Sequence, residues 1–326
     1  MSDSNLLFLA PNWRVSLLAA FSESRLQIGV KGSLLAADSD PHSPVLKAAD
    51  RSFLLPLFSE AQCLSAVTNL CASEKVRAIL PVTNKAVEFL SEHRSVFEDA
   101  GVHLYVPSQE TVALCHDKER LGHFLQSKGI ATPELIDGAD ADPVFPLFAK
   151  RRVGEGGEET FVVRDAEDLR YIRSKFPEHL LQGFIEGREF SIDWFGDREG
   201  RPVFAAPRER LRVRAGEARV TRLEMDEGLI AKAHATAKAL DLRGPCCLQG
   251  ILDEAGEFYI TDVNLRFGSG IQHTIVAGGD IPGMMYEELA GKRPEPPKKP
   301  LKTGTVMSRF STGFMFDPED GASGLK

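Results

Sequence analysis

The stretch LQGILDEAGEFYITDVNLRFGSG, residues 248–270, decides how this chain is read. Two apolar runs, Cys246 to Leu252 and Glu257 to Val263, flank Glu254-Ala255-Gly256, a turn that joins them as a hairpin. Asp262 and Asn264 stand two apart on the second run, so their side chains share a face, and Gln249 on the first run can join them. One carboxylate and two amide oxygens are hard ligands, of the kind Mg2+ accepts while keeping water and nucleotide phosphates in its shell. Arg266 follows on the same face, placed for a phosphate or an acyl-phosphate. The competing reading is an edge strand with polar residues turned outward.

Three further stretches carry candidate chemistry. In FAKRRVGEGGEET, residues 148–160, Lys150 ends an apolar run and Gly154, Glu155, Gly156 and Gly157 follow it, offering a cation and backbone donors to a phosphate chain. The pattern is neither a P-loop nor a dinucleotide fingerprint, and a flexible hairpin tip reads the same way. Such a loop has much entropy to lose on ordering, so mobility without nucleotide is expected. In LLQGFIEGREFSIDWF, residues 180–195, a strand leads through Gln182, Gly183, Phe184 and Ile185 to a turn at Gly187 and an acid at Glu189. Backbone groups there could meet an adenine edge and the carboxylate a ribose, or Glu189 is simply solvated. In PRERLRVRAGEARVTR, residues 207–222, Arg208, Arg210, Arg212 and Arg214 alternate along a strand. We expect Arg210 and Arg214 on one face as a clamp for a carboxylate or acyl-phosphate, with Arg208 and Arg212 on the other. A solvated ribbon is the commoner meaning of such a run.

Outward from these motifs, 326 residues with 43% apolar and 26% charged content suffice for two or three compact units. A net charge of -8 disfavours nucleic acid and anionic membrane as partners. The arginine run also lacks the interleaved aromatics of a single-strand binder. Five cysteines, with no zinc or redox spacing, read as reduced thiols in a cytoplasm. The start MSDSNLLFLAPNWRVSLL has an apolar run broken by Pro11 and Asn12, unlike a signal peptide, and no membrane span is expected. Apolar runs Leu6 to Ala10, Leu34 to Ala37, Ala78 to Pro81 and Val102 to Val106 alternate with helical patterns at Val15 to Ser22, Ser59 to Ser73 and Lys85 to Ala100. That alternation predicts a Rossmann-like parallel sheet up to a boundary near residue 115. Ala10-Pro11-Asn12 replaces the glycine turn a dinucleotide needs, so no nucleotide is assigned there. An α+β region follows, and Pro294 to Pro300 form a stiff connector to a last strand around Thr305 to Phe310.

Taken in chain order, these segments resemble the ATP-grasp superfamily, particularly its single-unit members related to one half of the carbamoyl phosphate synthetase large subunit. The resemblance implies an α/β plus α+β architecture. It divides the chain into a pre-ATP-grasp domain (1–115), a two-lobed ATP-grasp domain (116–293, the lobes meeting near 190) and a proline-rich connector with a terminal strand (294–326). It gives Lys118 and Lys150 to phosphate, 154–157 to a closing loop, Gln182 to Ile185 to adenine, and Glu189 to ribose. Gln249, Asp262 and Asn264 hold Mg2+, or Mn2+ in its place, and Arg266 meets the reacting group. Asp262 shortens the family's usual glutamate, and Leu265 stands where the carbamoyl phosphate synthetase branch has proline. The function implied is an ADP-forming ligase that activates a small-molecule carboxylate with ATP for attack by an amine or other nucleophile. A non-catalytic nucleotide-binding module is the alternative, and a homo-oligomer is compatible with either.

Overall fold

Strands covered on both faces must be apolar throughout, and the first third of the chain is built of such strands. Asn5–Leu9 (β1), Leu34–Asp38 (β2), Arg51–Leu54 (β3), Val76–Pro81 (β4) and His103–Leu104 (β5) form one sheet in the order β3-β2-β1-β4-β5. Every neighbouring pair is parallel. All of β2 and all but the first residue of β1 are buried. Helix Val15–Ile28 crosses between them and stops at Gly29, whose φ of 69° closes the last turn in the left-handed conformation. The computed structural model describes residues 4–136, 143–154 and 159–316. Glu155, Gly156 and Gly157 therefore lie outside the described residues.

The helix expected over Lys85 to Ala100 is two helices, Asn84–Glu92 and Arg94–Asp99, interrupted at His93. Helix Pro44–Ala48 and the half-exposed strand β3 are too short to give a pattern of their own. The expected boundary at residue 115 falls inside helix Gln109–His116, which packs on both Asn84–Glu92 and Lys118–Ser127.

Leu147–Arg151 (β6), Phe161–Val163 (β7) and His179–Gly183 (β8) make a small antiparallel sheet in the order β7-β6-β8. Arg188–Gly196 (β9), Pro202–Arg214 (β10), Glu217–Leu223 (β11), Gly244–Leu252 (β12), Phe258–Asn264 (β13) and Val306–Ser308 (β14) make a six-stranded antiparallel sheet, ordered β13-β12-β9-β10-β11-β14. The terminal strand beyond the prolines is thus the edge of the main sheet. On β9 the alternation is clean: Phe190, Ile192 and Trp194 are buried together with Ala233 and Ala237 of helix Glu227–Ala239. The same apolar cluster includes Leu7, Leu9 and Ile79 of the parallel sheet, so the two parts of the chain share a core. Their approach is close at Gly244, where an added Cβ would sit 3.0 Å from the Tyr105 carbonyl. Among the described residues no helix is long and apolar enough to cross a membrane.

Candidate active site

Alternation along the strands brings the polar partners of that apolar face up on the opposite side of the main sheet. Glu189 and Ser191 on β9, Arg208 and Arg210 on β10, Gln249 on β12, and Asp262 and Asn264 on β13 all line one cleft. Gln249 pairs across to Asp262 on one side and to Ser191 on the other. The small sheet faces them with Lys150, Gln182 and the segment Gly183 to Ile185, and the cavity between measures about 1210 Å³. The protein is acidic overall, but among the described lining residues nine are Lys or Arg and three are Asp or Glu. Positive charge is therefore concentrated in the cleft, where low-dielectric walls focus its field.

Lys150 is 9% exposed and donates from Nζ to the Thr261 carbonyl at 2.8 Å. Desolvation pulls its pKa down to about 8; Lys118 adds to the shift and Asp262 opposes it. Lys118 opens helix Lys118–Ser127 and donates to the Gly154 carbonyl at 2.6 Å. Asp117 caps that helix, accepting from the amides of Glu119 and Arg120 at 3.1 Å each, and Arg152 Nη2 grips its carboxylate at 2.6 Å. Burial raises the Asp117 pKa, but the Arg152 hydrogen bond and the cap amides outweigh it and hold the carboxyl low. This cap joins the helix to the end of β6, where Lys150 stands.

In the segment Gln182 to Ile185, the Gly183 amide is taken by the Glu134 carbonyl at 2.8 Å and the Phe184 amide by that of Pro146 at 3.3 Å. The Ile185 amide has no acceptor among the described residues. Glu189 is ion-paired with Arg210, whose Nη2 also donates to the Gly216 carbonyl at 2.7 Å. Asn264 Nδ2 donates to Asp262 Oδ2 at 3.1 Å. Among the described residues no three His, Cys, Asp or Glu side chains gather as a metal site. The donors at hand are one carboxylate and two amides, a set that fits a magnesium-type ion sharing its shell with nucleotide phosphates.

The arginine ribbon does not divide as expected. With a period of two, residues 208, 210, 212 and 214 fall on one face, not on alternate faces. Arg208 and Arg210 do both line the cleft, while register shifts after Arg210 and Arg212 turn the strand so that Arg212 and Arg214 are exposed. Arg214 is not among the cleft residues. Arg208 is 1% exposed and held by Asp193, with Nε to Oδ2 at 2.6 Å and Nη2 to Oδ1 at 2.8 Å. The glycines after Arg266 now have a reason. A Cβ on Gly270 would lie 2.3 Å from Arg208 Nη1, and one on Gly268 would lie 2.7 Å from Cys247 Sγ. Gly270→Ala should therefore displace the Arg208 guanidinium and cost about 1–3 kcal/mol, read as a lowered denaturation midpoint. An unchanged midpoint would show that Arg208 can move freely.

Arg14, Lys85, Ser191 and Arg219 also line the cleft and were not singled out from the sequence. Ser191 could have been found, because it continues the Glu189-x-Ser191-x-Asp193 alternation. Arg14 and Lys85 come from the parallel-sheet part and give no local pattern.

An antiparallel sheet facing a smaller one across a cationic cleft, behind a parallel α/β unit, defines the ATP-grasp class. Residues 175–311 match the family described as ATP-grasp in the biosynthetic pathway with Ter operon, and residues 6–105 match the PylC-like N-terminal domain, so the chain carries an ATP-grasp domain behind a PylC-like N-terminal domain. It is similar to a carbamoyl-phosphate synthase from Methanobrevibacter smithii, 22% identical over 171 residues, which are 50% of this chain and 45% of that protein. The match thus spans under half of the curated relative. A biotin carboxylase from Campylobacter jejuni, solved as its β,γ-ATP complex, superposes with a TM-score of 0.70 at 20% identity, covering 92% of this chain and 74% of that one. The ADP complex of an N5-carboxyaminoimidazole ribonucleotide synthetase gives 0.75 at 15% identity, covering 94% and 81%.

Proposed function

We propose that the protein is an ATP-dependent, ADP-forming ligase that activates a small-molecule carboxylate as an acyl-phosphate for attack by an amine or other nucleophile. One observation carries this reading: Lys150, Gln182, Glu189, Gln249, Asp262, Asn264 and Arg266, distant in sequence, line a single cleft. Nucleotide complexes of the solved relatives support it. In this reading the Ile185 amide meets the adenine edge, Glu189 the ribose, and Lys118 and Lys150 the phosphate chain. Gln249, Asp262 and Asn264 would hold Mg2+ or Mn2+, which when bound supplies charge neutralisation at the transferring phosphoryl. Arg266 and Arg210 orient the substrate carboxylate, whose oxygen attacks the γ-phosphorus and expels ADP. The amine then attacks the acyl carbon and expels phosphate. The chain's contribution is positioning and electrostatic stabilisation, so no protein nucleophile is required. Five free, buried cysteines fit a reducing cytoplasmic setting.

The test is nucleotide binding followed by turnover. Lys150→Ala should weaken MgATP binding by about tenfold or more in calorimetry, the loss of one charge-assisted phosphate contact. Unchanged affinity with an intact fold would overturn the assignment. Bound nucleotide without ADP release, across panels of carboxylates and amines, would instead favour the non-catalytic module.

The lowered Lys150 pKa gives a second test. Free protein begins to lose this proton as pH rises through about 8, whereas bound phosphate favours the ammonium. Binding near pH 8 to 9 should therefore take up protons, seen as a buffer-dependent binding enthalpy, and affinity should fall as pH rises. In Lys150→Ala the proton uptake should disappear. An equal uptake in that variant would assign the proton elsewhere.

A further inference from the structure

The cleft has more cationic ends than a nucleotide and one carboxylate can use. Arg14 sits at the head of helix Val15–Ile28, in the parallel-sheet part, and lines the cleft. Its guanidinium has no hydrogen bond and no ion pair among the described residues. Its charged neighbours come from three other segments, Arg266 after β13, Glu217 on β11 and Arg309 just beyond β14, and Arg219 of β11 lines the same cleft. Among the described residues the one carboxylate acting on Arg14, Glu217, is shared between Arg219 at 3.5 Å and Arg309 at 3.8 Å. Desolvation, and then the nearness of Arg266, lower the Arg14 pKa to about 10, with Glu217 opposing. Arg266 and Arg309 repel the Arg14 charge, and a partly desolvated guanidinium with no partner of its own among the described residues is costly. Lys118, Lys150 and the Asp262 set lie at the nucleotide end and do not compensate Arg14. Asp193 is paired with Arg208, and Glu189 lies against Arg210.

We propose that Arg14, with Arg219 lining the same cleft, holds a second anionic group of the substrate, distinct from the carboxylate that Arg266 and Arg210 orient, so that the acid activated in this cleft carries a further carboxylate or a phosphate. This rests on the ligase reading above and names its substrate class. The fork of a guanidinium matches either oxyanion, and the N-terminal domain then selects the substrate while the ATP-grasp domain activates it.

The experiment is calorimetric titration of MgADP-loaded protein with matched pairs that differ only in the second charge: succinate against butyrate, glutarate against valerate, and 2-phosphoglycolate against glycolate. At least one dianion should bind ten times or more tightly than its partner, and the preferred pair tells carboxylate from phosphate. Arg14→Gln should remove most of that difference while leaving the monoanion unaffected, and Arg219→Gln, on a separate element, should reduce it. Equal affinities within every pair, or a difference that survives Arg14→Gln, would overturn the proposal and leave the ligase reading standing. Failure of the wild-type protein to bind MgADP would overturn the ligase reading, and this inference with it. Loss of MgADP binding in Arg14→Gln alone would place Arg14 at the nucleotide and overturn only the subsite.

Discussion

Asp262→Asn should lower the rate of ADP formation by roughly three orders of magnitude while changing nucleotide affinity only a few-fold. The substitution keeps the shape of the side chain and its place on β13 opposite Gln249, and it removes the one carboxylate of the proposed ligand set. In the proposed site Lys118 and Lys150 would still hold the phosphates, so binding should persist. What is lost is the charge that keeps a divalent ion against the oxygens of the transferring group, and that interaction matters most in the transition state. Asp262 also raises the Lys150 pKa, so the variant should be assayed near pH 7, well below the point where that ammonium deprotonates. Wild-type turnover by Asp262→Asn at both limiting and saturating magnesium would show that the ion is held elsewhere. A large loss in affinity with little loss in rate would instead make Asp262 a nucleotide contact.

The parts legible from sequence are those in which a local pattern repeats the global arrangement. The hairpin at 246–263 could be read because a turn separates two apolar runs, but the turn alone would set Gln249 against Thr261, and a register shift between Gln249 and Gly250 moves it opposite Asp262. The parallel sheet was legible for the same reason: β1, β2 and β4 are nearly continuous apolar runs, as strands buried on both faces must be. β3 is a half-exposed edge strand of four residues and has no such signature. The arginine ribbon was misread by a rule, since alternate residues share a face, and by a fact no rule supplies, the register shifts that turn Arg212 and Arg214 outward. Arg14 was invisible in principle. Its significance comes from Arg266 and Arg309, hundreds of residues away, and only the packing of the two domains brings them together.

Arg208→Ala should be among the most destabilising single substitutions in the chain, at about 3–5 kcal/mol, although the run it belongs to looks like solvated surface. Arg208 and Asp193 are each 1% exposed and bonded at two points, and Thr274 Oγ1 donates to the same carboxylate at 2.5 Å. Burial opposes the Arg208 charge, but the Asp193 carboxylate more than offsets this, and the pKa is raised. Removing the arginine leaves Asp193 as a buried anion with one hydroxyl for support, the circumstance in which a broken ion pair costs most. Arg208→Lys keeps the charge but loses the fork, so it should recover only part of the stability. A double variant, Arg208→Met with Asp193→Asn, should be less destabilised than the sum of its single changes, because neither charge is then stranded. Denaturant midpoints of the wild type, of these variants and of the two single changes Arg208→Met and Asp193→Asn decide the matter. If Arg208→Ala melts within about 1 kcal/mol of wild type, the pair behaves as an exposed salt bridge and the buried role is wrong. If instead it melts early while the double variant recovers, Arg208 is a structural member of the cleft floor. Arg266 is then the arginine of this face whose loss should show in the rate of ADP formation rather than in the melt, while loss of Arg210, whose side chain is buried and paired with Glu189, should show in both.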